Sequence, residues 1–351
     1  MAKLRVAMAG CGLIARQHLE GYRRSGRAVV EALIDTKEEN SAQFAKEVGG
    51  SPKIFNNLTK ALEWGEFDAV DIMTPHDLHF DHALACMKAN KHILLEKPMA
   101  TNHRECEKLL TAGQDHVTQN KKVFMIGENA QYWPEVVKVK EIIDSGRIGD
   151  VYFAKASYWE TKLSSPFMKD VDGSTHWGCD PSRVGGGILM NGSCHWLRPL
   201  RMWLGEVGEV VGTVSESAYE GMPAGYETQA QALLRFKNGK TACFHGMYAS
   251  HALSDTPFFQ VYGSKGEITI GGGFKGGVTV YDREHVNGES QGPALGYVES
   301  FPPEIEAFVS AVLDNKPLDA DAMYCSGEPR IAWAIYRSLE SKRFEKVVWD
   351  S

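Results

Sequence analysis

The sequence predicts a two-part α/β protein, and three observations support this fold class. Short apolar strands alternate with helical segments through the first part of the chain, as they do in a parallel, doubly wound sheet. A glycine-rich turn joins the first strand to the first helix. The second part carries further strand-like segments between turn residues, and 351 residues are too many for one ordinary hydrophobic core.

The first strand, predicted over residues 4–9, leads into the turn Gly10-Cys11-Gly12-Leu13-Ile14-Ala15. Gly10 permits a tight turn, Gly12 lets the backbone approach a pyrophosphate, and Ala15 is small enough for close packing of helix on strand. A helix predicted over residues 15–24 would offer backbone N–H donors to phosphates. We therefore expect a Rossmann dinucleotide site, whose turn contacts are Gly10, Cys11, Gly12, Leu13 and Ile14. The alternative is a glycine turn that binds no ligand.

A second strand, predicted over residues 29–34, ends at Asp35, at about the 20-residue spacing expected of a ribose-binding acid. An aspartate there would accept hydrogen bonds from the adenosine ribose hydroxyls. The same carboxylate would repel a 2′-phosphate, so NAD is expected rather than NADP. Lys37 lies close by and argues against a strict preference.

Polar residues follow the next buried strand, predicted over residues 67–73 after a helix, a short strand near residues 54–55 and a second helix. Thr74 and Pro75 lie at its carboxyl end, where ligands bind in open α/β sheets, so we expect them to face the cofactor. His79 precedes a helix predicted over residues 80–89. It is either a further cofactor contact or a cap of that helix.

An apolar strand over residues 93–95 ends in Glu96-Lys97-Pro98. Lys97 therefore lies where chemistry would occur in a sheet of this type. Pro98 ends the strand and fixes the backbone beside the lysine, and the Lys97–Pro98 bond could be cis. The alternative is an ordinary surface Glu–Lys pair at a strand end.

Composition and charge exclude several other classes of protein. The formal net charge is −7 and no long run of Lys and Arg occurs, so a nucleic-acid partner is not expected. The N-terminus lacks the features of a signal peptide, and no apolar run is long enough to span a membrane. The 7 cysteines are scattered and form no Cys-x-x-Cys pair. We therefore expect reduced thiols, a cytoplasmic location and no metal site.

Together these motifs resemble the Gfo/Idh/MocA oxidoreductase family, named after glucose–fructose oxidoreductase, inositol dehydrogenase and a rhizopine-catabolism protein. The resemblance extends along the chain through a crossover at residues 127–134, a substrate-side loop at Trp177-x-x-Asp180-Pro181 and residues 185–189, a hairpin at residues 262–267 and a closing helix at residues 332–338. It implies an NAD-binding Rossmann domain over residues 1–126. It also implies a substrate-binding and oligomerisation α+β domain over residues 127–351, with its last helix, about residues 326–341, packing back on the first domain.

The resemblance further implies that the second domain is built on a large, mostly antiparallel open sheet. The sequence agrees with this, because several segments there have strand character. These segments are residues 151–159, 207–217, 228–236, 241–247 and 258–262. In the family this sheet usually forms the subunit interface, so a homodimer or homotetramer is expected.

The chain departs from the family's pattern at residues 191–198. Asn191, His195 and Arg198 are spaced to lie on one face of a helix. Relatives commonly have aspartate at the position of Asn191, histidine at that of His195 and often aspartate at that of Arg198. Because an amide cannot accept a proton as a carboxylate does, Asn191 is expected to orient a substrate hydroxyl, with a helix N-cap as the alternative. Pro199 is expected to kink or end the helix.

The resemblance implies hydride transfer from a secondary alcohol of a sugar, glycoside or cyclic polyol to NAD. Lys97 and His195 are the candidates for the base that accepts the hydroxyl proton. We assign proton transfer to Lys97, with Glu96 orienting it, and assign His195 to binding the reacting oxygen. The alternative for His195 is a structural histidine with its hydrogen bonds satisfied.

Substrate contacts are expected from aromatic and charged residues of the second domain. Tyr158 and Trp177 would suit the apolar face of a sugar ring, but they could equally be ordinary packing residues. Arg198 could bind an anionic substrate, such as a sugar acid or carboxylated dihydrodiol, or pair with a protein carboxylate. Two other functions stay open: a glycoside-cleaving enzyme that oxidises its substrate transiently with bound NAD, and a non-catalytic NAD-binding regulator. Retention of Lys97 and His195 argues against the regulator.

Overall fold

The computed structural model describes residues 3–161, 176–216, 222–249, 257–272, 276–319 and 321–349. These residues form two compact units. The first contains the described residues up to Glu128 together with Phe301–Ser326, and the second contains those of Asn129–Ser300 and from Gly327 onward. Among the helices of these residues, none combines the length and the apolar character needed to cross a membrane.

The first unit is built on a parallel sheet of six strands, as predicted. Its first eleven elements are β1 (Leu4–Ala9), α1 (Leu13–Ser25), β2 (Ala28–Ile34), α2 (Glu38–Val48), β3 (Lys53–Phe55), α3 (Leu58–Trp64), β4 (Ala69–Ile72), α4 (His79–Lys88), β5 (His92–Glu96), α5 (His103–Thr118) and β6 (Phe124–Gly127). The strand order is β3-β2-β1-β4-β5-β6. The order reverses between β1 and β4, so the carboxyl ends of these two strands mark the point where such sheets bind ligands.

Burial explains why these segments form central strands. β4 and β6 are buried along their whole length, and β1 and β5 are buried at every position but one. Near-continuous apolar runs of this kind suit strands that are covered by helices on both faces. The predicted first strand matches β1, and the predicted strands before Asp35 and Lys97 match β2 and β5 within two residues at either end.

The second unit is built on a nine-stranded sheet that is mostly antiparallel, as expected. Its elements before residue 300 are α6 (Pro134–Asp144), β7 (Val151–Thr161), α7 (Pro181–Val184), α8 (Ile188–Asn191), α9 (Cys194–Leu204), β8 (Val207–Ser215), β9 (Gln229–Phe236), β10 (Thr241–Ala249), β11 (Phe259–Gly263), β12 (Gly266–Ile270), β13 (Val278–Asp282) and β14 (Glu289–Ser290). Among the described strands of this sheet, only β7 and β10 pair in parallel. The end of the predicted strand 207–217 lies outside the described residues.

The strands of this sheet show the alternation of a sheet with one buried face. In β9, Ala230, Ala232, Leu234 and Phe236 are buried, whereas Leu233 between them is 55% exposed. Successive side chains of a strand point to opposite faces, so the first set lies in the core and Leu233 lies on the other face. The buried set belongs to the large hydrophobic cluster of the second unit, which also includes residues of α8 and α9.

The last elements differ from the expected domain division. The chain continues as α10 (Phe301–Asp314), α11 (Ala322–Cys325), α12 (Gly327–Ser341) and β15 (Glu345–Lys346). α10 belongs to the first unit, where Ile305 packs on Gly21 of α1 so closely that a Cβ at Gly21 would collide with it. The helix that was expected to return to the first domain, about residues 326–341, is α12, and it belongs to the second unit.

Contacts with β8 explain why α12 stays in the second unit. Ser338 Oγ accepts a hydrogen bond from the N–H of Gly212 at 3.0 Å, and the side chain of Ile335 occupies the space beside that glycine. Ile331, Ala334 and Ile335 are buried in the core of the second unit. The segment that returns to the first unit is therefore residues 301–326, which carried no motif that we could recognise in the sequence.

Candidate functional site

The glycine turn after β1 has the geometry of a phosphate-binding turn. Gly10 has a φ of +97°, and a Cβ there would collide with the carbonyl oxygen of Met73. A Cβ at Gly12 would meet nothing within 4 Å, so the space beside it is open. Gly12 is the N-cap of α1 and offers no side-chain acceptor, and the first turn of α1 holds no acidic residue. The first N–H groups of α1 therefore suit the phosphates of a dinucleotide.

Asp35 follows β2 and is fixed beside this turn. Its Oδ2 accepts a hydrogen bond from the N–H of Cys11 at 3.0 Å, and its Oδ1 accepts one from the N–H of Lys37 at 2.8 Å. Burial raises the pKa of the Cys11 thiol to about 12, so the side chain stays neutral. Cys11 contacts Asp35 through its backbone N–H. Leu13, 49% exposed, and half-buried Ile14 begin α1.

His79 has a different role from the two that we expected. The residue begins α4 and its side chain is fully buried. Its Nδ1 lies 2.8 Å from the carbonyl oxygen of Pro98, and its Nε2 lies 2.8 Å from that of Thr74. Both ring nitrogens therefore face backbone carbonyls, and the ring connects the segment after β4 with the segment after β5. A direct side-chain contact with the cofactor is not compatible with this burial.

Thr74 and Pro75 lie just beyond the carboxyl end of β4, as predicted. Thr74 Oγ1 is 3.1 Å from Nδ1 of His82, one helical turn into α4. Pro75 has an extended backbone and precedes a short 3₁₀ turn at His76–Leu78. Both residues therefore lie at the edge of the sheet that the glycine turn also occupies.

Lys97 directly follows β5, and its peptide bond to Pro98 is cis. The Lys97 side chain is half-buried, and its main-chain N–H donates to Oε2 of Glu96 at 3.1 Å. Glu96 is itself buried, with 8% of its surface exposed. Glu96 thus holds the backbone of the lysine; its expected role of orienting Lys97 for proton transfer stays a prediction.

The glycine run of the second unit forms a tight loop ahead of α8. A Cβ at Gly186 would collide with the hydroxyl of Tyr336, and one at Gly187 would collide with the backbone of Glu227. Glu227 Oε1 accepts hydrogen bonds from the Tyr336 hydroxyl at 2.6 Å and from the N–H of Leu189 at 3.1 Å. These contacts fix the backbone that carries Asn191.

The prediction of one helical face over residues 191–198 is wrong. α8 ends at Asn191 and α9 begins at Cys194. The interruption lies at Gly192, where a Cβ would be 2.5 Å from the ring of Tyr158. Pro199 does not end the helix, because α9 continues through it to Leu204. Every residue of α9 except Met202 is buried, and this packing outweighs the backbone hydrogen bond that the proline removes.

The side-chain amide of Asn191 is held within the second unit. Its Nδ2 donates to the carbonyl of Gly178 at 3.0 Å and to the Tyr226 hydroxyl at 3.3 Å. Ser193, and not Asn191, occupies the N-cap position of α9, so the N-cap alternative for Asn191 is wrong. The amide is oriented by these contacts, with its nitrogen directed at protein acceptors.

His195 ends a chain of hydrogen bonds that the sequence did not reveal. Asn129 Nδ2 donates to Ser300 Oγ at 2.7 Å, and the Tyr297 hydroxyl donates to Oδ1 of Asn129 at 2.9 Å. Nε2 of His195 lies 3.2 Å from the same hydroxyl. Since Tyr297 gives its proton to Asn129, we assign the proton of this contact to Nε2 of His195. Asn129 and Tyr297 thus set the orientation of the His195 ring.

The structure supports the alternative in which Arg198 pairs with a protein carboxylate. Its side chain is fully buried. Nε and Nη2 donate to the two carboxylate oxygens of Glu328 at 2.9 and 2.7 Å, and Nη1 donates to Oε1 of Gln131 at 2.6 Å. Arg201 pairs with Glu328 as well. Arg198 is therefore a structural residue. The expectation that it contacts an anionic substrate is corrected by this pairing.

Tyr158 and Trp177 differ in how far they are available to a ligand. Tyr158 is 6% exposed and stacks on Trp196 with ring centroids 4.0 Å apart, so it belongs to the core of the second unit. Trp177 is half-buried in a 3₁₀ turn at Trp177–Cys179, and its ring lies against that of His176. Of the two, Trp177 remains a candidate for contact with a sugar ring.

Sequence comparisons match both units to models of one protein family. A model described as an oxidoreductase family with an NAD-binding Rossmann fold matches residues 4–127, and a model described as the Gfo/Idh/MocA C-terminal domain matches residues 136–269. Together these matches cover more than half of the chain.

Individual relatives are similar over most of their length. Myo-inositol 2-dehydrogenase of Thermotoga maritima is 24% identical over 349 residues, which are 98% of each chain. Levoglucosan dehydrogenase of Pseudarthrobacter phenanthrenivorans is 25% identical over 297 residues, 77% of this chain and 74% of that one. A solved structure of levoglucosan dehydrogenase with NADH and levoglucosan has a TM-score of 0.87 at 21% identity, with 99% of this chain and 100% of that chain covered. At 21% identity, this structural similarity shows a shared fold and no more.

Proposed function

Because the chain belongs to the Gfo/Idh/MocA oxidoreductase family, we propose that it is a dehydrogenase of a secondary alcohol in a sugar, glycoside or cyclic polyol. The observation that carries this proposal is the position of Lys97, just beyond the carboxyl end of β5 in the nucleotide-binding sheet. Relatives whose names specify inositol and levoglucosan as substrates support the substrate class.

The residues of the first unit fit a nicotinamide dinucleotide, which supplies the hydride acceptor when it is bound. The turn from Gly10 to Ile14 and the N-terminus of α1 would hold its phosphates, because the start of α1 has no side-chain cap. Asp35 would accept hydrogen bonds from the adenosine ribose. Thr74 and Pro75 would line the same edge of the sheet. In this proposal Lys97 accepts the hydroxyl proton of the substrate as general base.

The residues of the second unit are proposed to bind the substrate. His195 would contact the reacting oxygen, with its ring held by Tyr297. Asn191 would accept a hydrogen bond from a substrate hydroxyl through Oδ1, since its Nδ2 is directed at Gly178 and Tyr226. An asparagine in this role binds and orients but does not take up a proton.

A substrate panel tests the proposal as a whole. Inositols, free sugars, glycosides and sugar acids are each incubated with the protein and NAD, and NADH is followed by its absorbance. We expect turnover of at least one neutral polyol or sugar. Oxidation of sugar acids alone would contradict the proposal, which expects a neutral substrate. The fully buried Arg198 offers no contact to an anionic one. Absence of NADH with every class would contradict the proposal of a dehydrogenase with free cofactor.

Cofactor preference gives a first prediction. We expect NAD to bind more tightly than NADP, because the Asp35 carboxylate would face the 2′-phosphate of NADP. Asp35→Ser should weaken NAD binding by roughly 10- to 100-fold, because a hydrogen bond to a charged group contributes about 1.5–3 kcal/mol. The substitution should also reduce the preference for NAD over NADP. Titration of both cofactors measures this, with Glu63→Ser on the exposed surface of α3 as the control. Tighter binding of NADP by the unaltered protein would contradict the assignment.

Asn191 gives a second prediction. Asn191→Ala should lower kcat/KM by roughly 10- to 100-fold, since a lost hydrogen bond costs about 0.5–1.5 kcal/mol and a buried partner left unsatisfied raises this to about 3. The pH profile should keep its shape, because no titrating group is removed. Asn238→Ala is the matched control, since Asn238 also donates to a backbone carbonyl of the second unit, that of Leu204. Equal behaviour of the two variants would make Asn191 a structural residue only.

We further propose that the exposed face of the nine-stranded sheet mediates self-association into a homodimer or homotetramer. Leu233 is 55% exposed on this face, and Trp159 and Tyr262 are half-buried on neighbouring strands. A face with apolar and aromatic side chains at the surface suits an interface between identical subunits.

A further inference from the structure

Two polar residues of α1 lie on the side of the helix that packs against the sheet. His18 and Tyr22 are buried at 0% and 3% exposure among the apolar residues of this face. Polar groups at such positions are costly unless they find partners. Both reach Asp71, a fully buried residue of β4. The Tyr22 hydroxyl donates to Oδ2 of Asp71 at 3.0 Å, and Nδ1 of His18 lies 2.9 Å from the same oxygen.

The other nitrogen of His18 leads toward the candidate base. Nε2 lies 3.2 Å from Oε1 of Glu96, an ion-pair distance without hydrogen-bond geometry. The second oxygen of Glu96, Oε2, accepts the main-chain N–H of Lys97 at 3.1 Å. A continuous series of polar contacts thus runs from Asp71 through His18 and Glu96 to the backbone of Lys97. All four residues belong to the first unit.

The charges of this cluster are set by its burial. A histidine that faces a carboxylate with each nitrogen is attracted to both only as an imidazolium. Burial by itself would lower the pKa of His18, but Asp71 and Glu96 outweigh it and raise the pKa well above the ordinary value. Glu304 of α10 is also fully buried nearby, and burial together with Glu96, Glu128 and Asp71 raises its pKa well above the ordinary value. His18 therefore supplies a positive charge between Asp71 and Glu96.

We propose that His18 is a positioning residue for Lys97: as a cation between Asp71 and Glu96, it fixes the carboxylate that accepts the Lys97 main-chain N–H. A Glu96 without this partner would lose the cation beside Oε1, and its side chain would turn away from the Lys97 N–H. That change removes the acceptor that orients the lysine backbone. The inference rests on the proposed role of Lys97 in proton transfer.

The protonation of His18 can be measured without any substrate. In the unaltered protein labelled with ¹⁵N-histidine, we expect one of the 12 histidine rings to keep both N–H protons well above pH 7. This signal should disappear in His18→Gln. Because the measurement on the unaltered protein stands alone, it remains decisive even if the variant folds poorly. A spectrum in which every ring becomes singly protonated above pH 7 would overturn the proposal.

The effect on Lys97 is measured by chemical labelling. Competitive acetylation of lysines, quantified by mass spectrometry across pH, reports the reactivity of each amine. We expect His18→Gln to shift the pH midpoint for Lys97 and to leave that of exposed Lys60 in α3 unchanged. His116→Gln is the matched control, because His116 is also a buried histidine of the first unit, on α5, with Nε2 at 2.8 Å from the Lys91 carbonyl. An unchanged Lys97 midpoint in His18→Gln, or an equal shift in His116→Gln, would overturn the proposal.

Kinetics with a substrate from the panel separate this inference from the proposed function. His18→Gln should lower kcat by up to about 100-fold, the cost of a displaced catalytic group, with little change in the KM for NAD. His116→Gln should retain kcat. Tyr22→Phe, a milder change that removes one partner of Asp71, should lower kcat in the same direction. If Lys97→Ala is inactive but His18→Gln is fully active, the inference fails and the role of Lys97 stands. If Lys97→Ala is active, the proposed role of Lys97 in proton transfer fails, and this inference fails with it.

Discussion

Lys97→Ala should lower kcat by about 10²–10⁴-fold while NAD affinity stays nearly unchanged, because a positioned general base typically contributes a factor of this size. The lysine follows β5 at the edge of the sheet that carries the glycine turn, but the proposed phosphate contacts are made by the turn and α1. Its loss should therefore affect chemistry far more than cofactor binding. Steady-state kinetics and NAD titration on the same preparation measure the two effects separately.

Two further variants make this result specific. Lys97→Arg keeps the positive charge but cannot lose its proton near neutral pH, so it should be almost as inactive as Lys97→Ala. Lys60→Ala, at an exposed position of α3, should retain activity and controls for the loss of a lysine from the first unit. An active Lys97→Ala enzyme with an ordinary pH profile would remove Lys97 from the mechanism and leave His195 as the candidate base.

The second large effect is expected on stability. Arg198→Met should lower the free energy of unfolding of the second unit by about 3 kcal/mol. The variant leaves Glu328 and Gln131 buried without the guanidinium that satisfies them. The value lies at the low end of the range for breaking a buried ion pair, because Arg201 still pairs with Glu328. Chemical denaturation followed by far-UV circular dichroism measures the change.

The matched control for this effect is an exposed arginine of the same unit. Arg235 pairs with Glu209 at 2.8 Å, but its side chain is 55% exposed, so Arg235→Met should cost below about 1 kcal/mol. Equal destabilisation by the two substitutions would contradict the assignment of Arg198 as a buried structural residue. A selective rise in the KM for acidic substrates in Arg198→Met would instead restore the anion-binding interpretation.

Local backbone chemistry explains which parts of the site were predictable from the sequence. Gly10 and Gly12 were identified because a turn that approaches phosphates excludes side chains, and the structure shows a collision at Gly10 and open space at Gly12. The strand before Lys97 was identified because buried parallel strands are continuously apolar. The parallel sheet followed from the alternation of strands and helices, and the mostly antiparallel sheet of the second unit was implied by the family resemblance; both are confirmed.

The errors share a different origin, because each depends on contacts between residues distant in sequence. Gly192, at the break, lies against the Tyr158 ring, and Arg198 is paired with Glu328, 130 positions away. Periodicity within residues 191–198 contains no information on either partner. The orientation of His195 by Tyr297 was missed for the same reason, since the two residues are 102 positions apart.

The return of the chain to the first unit at α10 has a consequence for the order of synthesis. Residues 301–314 cover Gly21 on α1 through Ile305, and they contribute the buried Glu304 beside His18. A nascent chain that has emerged only as far as residue 128 lacks this cover, so the first unit cannot reach its final packing until residues 301–326 have followed. Because the second unit in turn needs residues from Gly327 onward, both units mature only when synthesis is nearly complete, in contrast to the usual order in which domains fold as they emerge.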